Sequence, residues 1–386
     1  MPIIIYLFAI SAFALGLAEF LPMGLTEIIA DDLAVGIENV GRAVTAYALG
    51  ATVSAPILTA LTANLPRKSV MLISVSIFSL GSFVAAVSVN LDMMLLARFV
   101  AGLGHGLFLA VASSTAAQLV GNHRAGSAVA IVFSGFTLAM AIGVPLSTYL
   151  GSVLSWHVLL GMIAFFGIIG GLGLGLKMQD PLNAPQHFPV KQNLKRLGQP
   201  ILLLSTLVTV FSYAGAFTAY TYIAPFLTQI TGVSSASVAI FLFIYGVAAA
   251  AGNIIGGKLT DRFGEFRANG MMIIGLIFTN ILIGLIGNSF YSMIFLTALL
   301  GALTFGIVPS LQARLIRIAA VHAPESQSVA AGLNIAGFNL GIAFGSFVGG
   351  IVVAQINITA STFAGALLSF IGLILLIKSQ HSFKSR

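Results

Sequence analysis

The chain alternates long apolar runs with short polar breaks from one end to the other. Runs of about 20 residues recur, and a helix of that length, rising ~1.5 Å per residue, covers the ~30 Å hydrocarbon core of a bilayer. The pattern predicts twelve spans, at residues 4–29, 42–63, 69–89, 92–119, 124–150, 156–176, 201–227, 236–257, 268–287, 291–313, 326–354 and 360–378. One break is much longer than the others: residues 178–200, rich in Pro, Gln, Asn and Lys. It separates a first set of six spans, 1–177, from a second, 201–386. The predicted class is an all-α integral membrane protein.

Composition agrees. Of 386 residues, 58% are hydrophobic and 7% charged, against about a quarter charged in a soluble domain. The 42 glycines allow close helix approach, since packing rather than hydrophobicity drives association in lipid. There is no cysteine, hence no disulfide and no thiolate metal ligand, and no metal or cofactor is expected. Residues 1–5 hold no Lys or Arg and so lack the n-region of a cleaved signal; the first span is expected to be retained.

A net charge of +7 would suit nucleic acid until the charges are placed. Fifteen of the 17 Lys and Arg follow even-numbered spans or lie in the C-terminal tail, so they share one side. The positive-inside rule makes that side cytoplasmic, with both termini on it, in a multi-pass bacterial inner (plasma) membrane protein. Arg42 and Arg98 are the exceptions, and the opposite loops hold Asp31, Asp32, Glu38 and Asp92. The charge is a topology signal. The lipid bilayer is the expected partner, not nucleic acid, and nothing demands more than a monomer.

The chain also repeats itself. TALTANLPRK at 59–68 corresponds to GKLTDRFGEF at 257–266, offset by 198, and GFTLAMAIG at 135–143 to GFNLGIAFG at 337–345, offset by 202. Parallel repeats about an axis along the membrane normal are a secondary-transporter arrangement. GKLTDRFG closely resembles the loop signature G-x-L-x-D-R-x-G of the major facilitator superfamily, with Gly257, Asp261 and Arg262 at its defining positions. LLARFVAGLGHG (95–106) resembles the superfamily's fourth-helix motif, Arg98 being its arginine. AIGVPLSTYLG (141–151), with Gly143, Pro145, Gly151 and the preceding Gly135, resembles the helix-five motif of its antiporters. EFLPMGLTEIIADDL, the His105–Gly106 pair, FTAYTYIAPFL (217–227) and AGFNLGIAFGSFVGG resemble the arabinose and sugar-efflux-type permeases of the drug:proton antiporter branch.

This resemblance covers essentially the whole chain. It implies two pseudo-symmetric six-helix halves, alternating access around a cavity lined by spans one, four, seven and ten, and export of a sugar or drug-like molecule in exchange for protons. One departure stands out: Thr59 and Ala63 replace the Gly and Asp of the first-half loop, leaving only Arg67 and Lys68. Any charge-pair latch there is expected to be weaker than the second-half one.

Candidate chemistry centres on Glu19. A carboxylate inside a span costs at least ~2.5 kcal/mol and by default has a function or a buried partner. Counting along the helices puts Glu19 ~14 Å and Arg98 ~10 Å from the outer face, at a common level. A pair balanced between burial and mutual attraction can change protonation as water access changes; a permanent structural ion pair is the alternative, as is Arg98 bracing a helix backbone. Glu27, eight residues on, is either a second acid for substrate or protons or a solvated interfacial carboxylate. His105 lies seven residues after Arg98, on the same face; with an ordinary pKa of about 6.5 it could relay protons or simply bond a helix carbonyl.

Met23, Phe108, Tyr213, Tyr220 and Tyr222 are candidate cavity walls. Gln312, Asn334 and Asn339, with Asn253, are candidate ligand contacts or helix-to-helix hydrogen bonds. Gly257, Asp261 and Arg262 read as a conformational latch, with Asp261 accepting from a neighbouring helix N-terminus in one state. The spaced glycines of AGLGHG and GLGLG follow no strand and read as helix packing, and no Walker loop offers ATP drive. A membrane enzyme would need several acids, His or Ser converging at one depth, so no enzymatic activity is expected. A proton-independent facilitator, an importer and a non-transporting ligand sensor are the other readings.

Overall fold

The computed structural model describes residues 2–62, 65–120, 125–151, 153–178, 198–322 and 327–384. The predicted break at 178–200 therefore lies, for 179–197, outside the described residues, as do Ala63, Arg124, Lys191, Lys195, Arg196 and Arg386.

The first half comprises α1 (Ile3–Gly24), α2 (Thr26–Asp32), α3 (Ile37–Leu61), α4 (Arg67–Ala86), α5 (Leu91–Val120), α6 (Ala125–Leu138), a π-helical segment (Ala139–Gly143), α7 (Val144–Leu150) and α8 (Trp156–Lys177). The second comprises α9 (Pro200–Tyr220), α10 (Ile223–Gln229), α11 (Ser235–Phe263), α12 (Glu265–Ile286), α13 (Phe290–His322), α14 (Gln327–Gln355) and α15 (Ile358–Lys384). Among the described residues, eleven helical stretches are long and apolar enough to cross a membrane. The 25-residue α3, which carries Glu38 and Arg42 in its first two turns, supplies the twelfth. This is the predicted all-α fold of two six-span halves.

Chain re-entry is capped. The side-chain oxygens of Asn90, Ser155, Ser234 and Asn357 accept backbone N–H bonds at the starts of α5, α8, α11 and α15, each such cap contributing about 1 kcal/mol. All four lie at the end of the bundle where α2 sits. Lys68, Lys177, Arg262 and Arg317 lie at the other, which we term the basic end.

Three predicted spans are not single helices. Span one breaks at Leu25, after Pro22 and Gly24; the Leu25 N–H donates to the Pro22 carbonyl at 3.2 Å, and the Thr26 hydroxyl adds a second bond to the same carbonyl at 3.0 Å. Glu27 therefore belongs to a separate short helix and not to one continuous helix over the predicted span 4–29. Span seven also breaks, at Thr221 and Tyr222 between α9 and α10, ahead of Pro225. Span five widens into the π segment just ahead of Pro145, whose missing N–H and ring bulk disrupt the preceding turn. Other helices run past their predicted ends: GKLTDRFG occupies the last two turns of α11 rather than a loop, and the turn itself is Gly264 at φ +80°.

Glycines close the helix seams. A Cβ on Gly102 would collide with the Tyr47 carbonyl, and one on Gly106 with that of Ala51, so α3 and α5 pack backbone to backbone. Gly252 against Ala302 and Gly256 against Gly306 do the same for α11 and α13. The helix-five glycines form a third seam on α1: Gly135 against Ala9, Gly143 against Leu17 and Gly151 against Leu25.

Between the halves, Thr45 donates to the Ala343 carbonyl at 3.3 Å, Gly246 abuts Met140 and Ala141, and Phe20 stacks on Phe217 at 6.1 Å. These contacts fall on the α2 side of the bundle.

Candidate functional site

Glu19 is the one buried carboxylate among the described residues, 2% exposed, on α1 six residues before the break. Its Oε2 lies 3.8 Å from His105 Nδ1 of α5, and its Oε1 has no hydrogen-bond partner among the described residues. Arg98, also 2% exposed, comes to the level that helix counting gives it, but it does not pair with Glu19. Its Nη1 donates to the Ala18 carbonyl at 2.5 Å and its Nε to the Ala43 carbonyl at 3.4 Å, while its guanidinium lies 4.2 Å above the Tyr47 ring. The planar fork suits this arrangement, bonding two helices while its face stacks. Of the two roles open to Arg98, the structure displays backbone bracing.

Tyr47 ties the cluster together, and the sequence reading overlooks it. Fully buried on α3, its hydroxyl lies 2.9 Å from His105 Nδ1 and 3.3 Å from the Leu15 carbonyl. A carbonyl only accepts, so the hydroxyl donates to Leu15 and its lone pairs face His105. That bond holds the proton of neutral His105 on Nδ1, the same atom that faces Glu19. The cluster thus joins α1, α3 and α5 through one carboxyl, one imidazole, one phenol and one guanidinium. It sets a buried carboxyl and an imidazole beside a guanidinium.

The other predicted residues scatter. Met23 is buried on α1, and Phe108 packs edge-on against Phe8 inside the first half. Tyr213 and Tyr220 join an aromatic cluster facing the first half: Tyr213 stacks on Phe217 at 5.5 Å and Tyr220 on Tyr245 at 3.9 Å, and Phe305 reaches both Tyr245 and Phe20. Asn334 accepts from Thr209 at 2.6 Å and donates to Gln312 at 2.7 Å, a bridge from α9 through α14 to α13. Asn339 donates within its own helix to Ile335 and leaves its buried Oδ1 without a partner.

Tyr222 and Glu27 reach across the halves. The Tyr222 hydroxyl meets Gly41 and lies 3.5 Å from the Glu38 carbonyl; Glu27 Oε1 accepts from Thr228 at 2.5 Å and Gln229 at 3.3 Å. At the basic end, Asp261 and Arg262 are exposed, Gly257 has open space around it, and Arg67 and Lys68 are half-buried. An ion pair among the described residues there is Glu265–Arg317, with Arg314 beside it donating to Ser379 and Gln380.

Two six-span halves, the first of them holding this cluster, make the fold of a membrane transporter. The chain belongs to the Major Facilitator Superfamily, whose family model matches residues 8–316 and 205–385. It is 35% identical to the inner membrane transport protein YdhP of Escherichia coli (strain K12), over 97% of this chain and 95% of that protein. It is 33% identical to a chloramphenicol resistance protein of Streptomyces lividans, over 68% of each. Its fold matches the crystal structure of a mutant of the nucleoside transporter NupG, with a TM-score of 0.78 at 15% identity, covering 98% of both chains. The protein is a multi-pass membrane transporter and not an enzyme.

Proposed function

We propose that this transporter exports a small molecule in exchange for protons by alternating access, with Glu19 taking up and releasing the coupled proton. One observation carries the reading: Glu19 is buried, its Oε1 is unpartnered, and the neighbouring guanidinium bonds backbone carbonyls through Nη1 and Nε, its Nη2 having no hydrogen-bond partner among the described residues. Glu19 can therefore change protonation without dismantling an ion pair. A permanently charged carboxylate with one bare oxygen would only cost stability. The basic end is the cytoplasmic side, with both termini on it, in a bacterial inner membrane. One proton moving inward supplies ~2.3 kcal/mol per 100 mV and ~1.4 kcal/mol per pH unit, enough for concentrative export.

The substrate surface is the aromatic face of α9, α11 and α13 opposite Glu19. Rings there offer stacking to a compact molecule with one apolar face, which fits sugars and aromatic drugs alike. The relative named for chloramphenicol resistance makes that drug a first probe, with arabinose as the second.

The test uses proteoliposomes with an acidified lumen. Wild type should accumulate the transported probe, whereas Glu19→Gln should exchange it downhill but never concentrate it. A Glu19→Gln protein that still accumulates substrate under a pH gradient would falsify the assignment. Wild type that only equilibrates its substrate would instead make the protein a facilitator.

A further inference from the structure

We infer that Phe20 is a positioning residue for the proton step: its ring is a lid over Glu19, and the second half of the molecule holds that lid shut. This deepens the proposed exchange, and its consequence for transport rests on it.

Phe20 follows Glu19 on α1, and one residue turns a helical side chain by about 100°. The two therefore face different partners. Glu19 turns into the first half, its Oε2 3.8 Å from His105 Nδ1. Phe20 turns toward the second half, stacking on Phe217 of α9 at 6.1 Å and meeting Phe305 of α13 edge-on at 6.5 Å. Within its own half, its ring stands edge-on to Phe136 of α6 at 5.4 Å, and Phe136 lies 5.8 Å from the His105 ring. The rings of Phe136 and Phe20 thus run from the imidazole to the contact between the halves, and Phe20 is 1% exposed. Tyr47 and Arg98, the polar neighbours in the cluster, come from α3 and α5 of the first half.

Two of the three ring partners that fix Phe20 belong to the second half. Stacked and edge-on ring pairs add to plain burial, so the side chain is held best when the halves meet on the α2 side, as they do here. An apolar constriction of this kind excludes water by dewetting. When the halves part on that side, Phe217 and Phe305 withdraw and Phe20 keeps Phe136 alone. Water then reaches the unpartnered Oε1 of Glu19. Motion of the halves decides when the carboxyl is hydrated. A closed α2 side withholds protons from Glu19, which is the condition for exchange rather than leak.

The test measures access to Glu19 and needs no substrate. Purified full-length protein in detergent is treated with a water-soluble carbodiimide and an amine. Carboxyl modification is read by peptide mass spectrometry, with exposed Asp92 as the internal reference. Wild type should label at Asp92 and scarcely at Glu19. Phe20→Ala should raise Glu19 labelling at least about tenfold, and the double variant Phe217→Ala/Phe305→Ala, altered only in the other half, should do about as much. Phe20→Leu keeps apolar bulk and should stay within about threefold of wild type. Phe8→Ala removes a ring packed on Phe108 inside the first half; it controls for general loosening and should label as wild type does.

Wild-type Glu19 labelled as fast as Asp92, or no rise in Phe20→Ala, overturns the lid, as does an equal rise in Phe8→Ala. A rise in Phe20→Ala with none in the double variant overturns the part assigned to the second half. Should Phe20→Ala fail to fold, the double variant decides alone. Labelling reports access whether or not Glu19 carries the coupled proton, so failure of the lid and accumulation of substrate by Glu19→Gln are separate results.

Discussion

In the first half, α3 and α5 meet over Gly102 and Gly106; in the second, α11 and α13 meet over Gly252 and Gly256. The duplicated scaffold is the same, and the residues mounted on it are not. Where α5 presents Arg98 and His105, the repeat offset of about 200 leads on α13 to Ala298 and Phe305. Tyr47 faces a guanidinium, whereas Tyr245 faces another tyrosine ring and Phe305. At this level one half has the charges and the other the rings; the buried guanidinium of the second half, Arg314, lies at the basic end. Burying an ion is expensive and aromatic surface is not, so keeping ions off the wall opposite Glu19 leaves that wall free to meet many substrates.

That comparison can be broken at several levels. The largest effect should come from the shared scaffold: Gly102→Leu and Gly252→Leu each drive a side chain into backbone and should cost more than ~3 kcal/mol, seen as loss of monodisperse folded protein in detergent. If only one of them did so, the seams would not be equivalent. Next comes Arg98→Lys, which keeps the charge but not the two-helix fork and stacked face. Counterflow should fall at least about tenfold, a loss that Lys in place of a simple counter-charge would not cause. Tyr47→Phe should then cost ~1–3 kcal/mol by leaving His105 Nδ1 without its partner and shift the pH profile of transport, whereas Tyr213→Phe should change apparent substrate affinity and leave that profile in place. Smallest of all, Thr209→Val removes one bond of the Asn334 bridge. It should lower the unfolding midpoint by the equivalent of ~0.6 kcal/mol with coupling intact.

Much of this fold is legible in the sequence, because a bilayer leaves few alternatives to apolar helices of fixed length. The repeat is visible because duplication preserved small residues at seams where nothing larger fits. The site is legible in depth but not in direction. Counting residues brings Arg98 to the level of Glu19, yet which way a long side chain turns depends on the acceptors around it, and backbone carbonyls of α1 and α3 are nearer. Tyr47 escapes notice because it is one of eight tyrosines in a hydrophobic chain; only packing shows that its ring and hydroxyl serve different partners. The helix breaks at Leu25 and Thr221 escape for a related reason, as Pro22 and Pro225 give warning without saying where the chain turns.

The α2-side corner of the first half has an optical consequence. Trp156, the single tryptophan of the chain, stacks on His157 at 3.7 Å and donates its indole N–H to Asp32 at 2.9 Å. Asp32 ends the short helix that begins beside Glu27. Indole emission excited selectively therefore comes from one position, next to an imidazole whose protonated form quenches it. Without any label, the brightness of this protein is a gauge of how α2 sits.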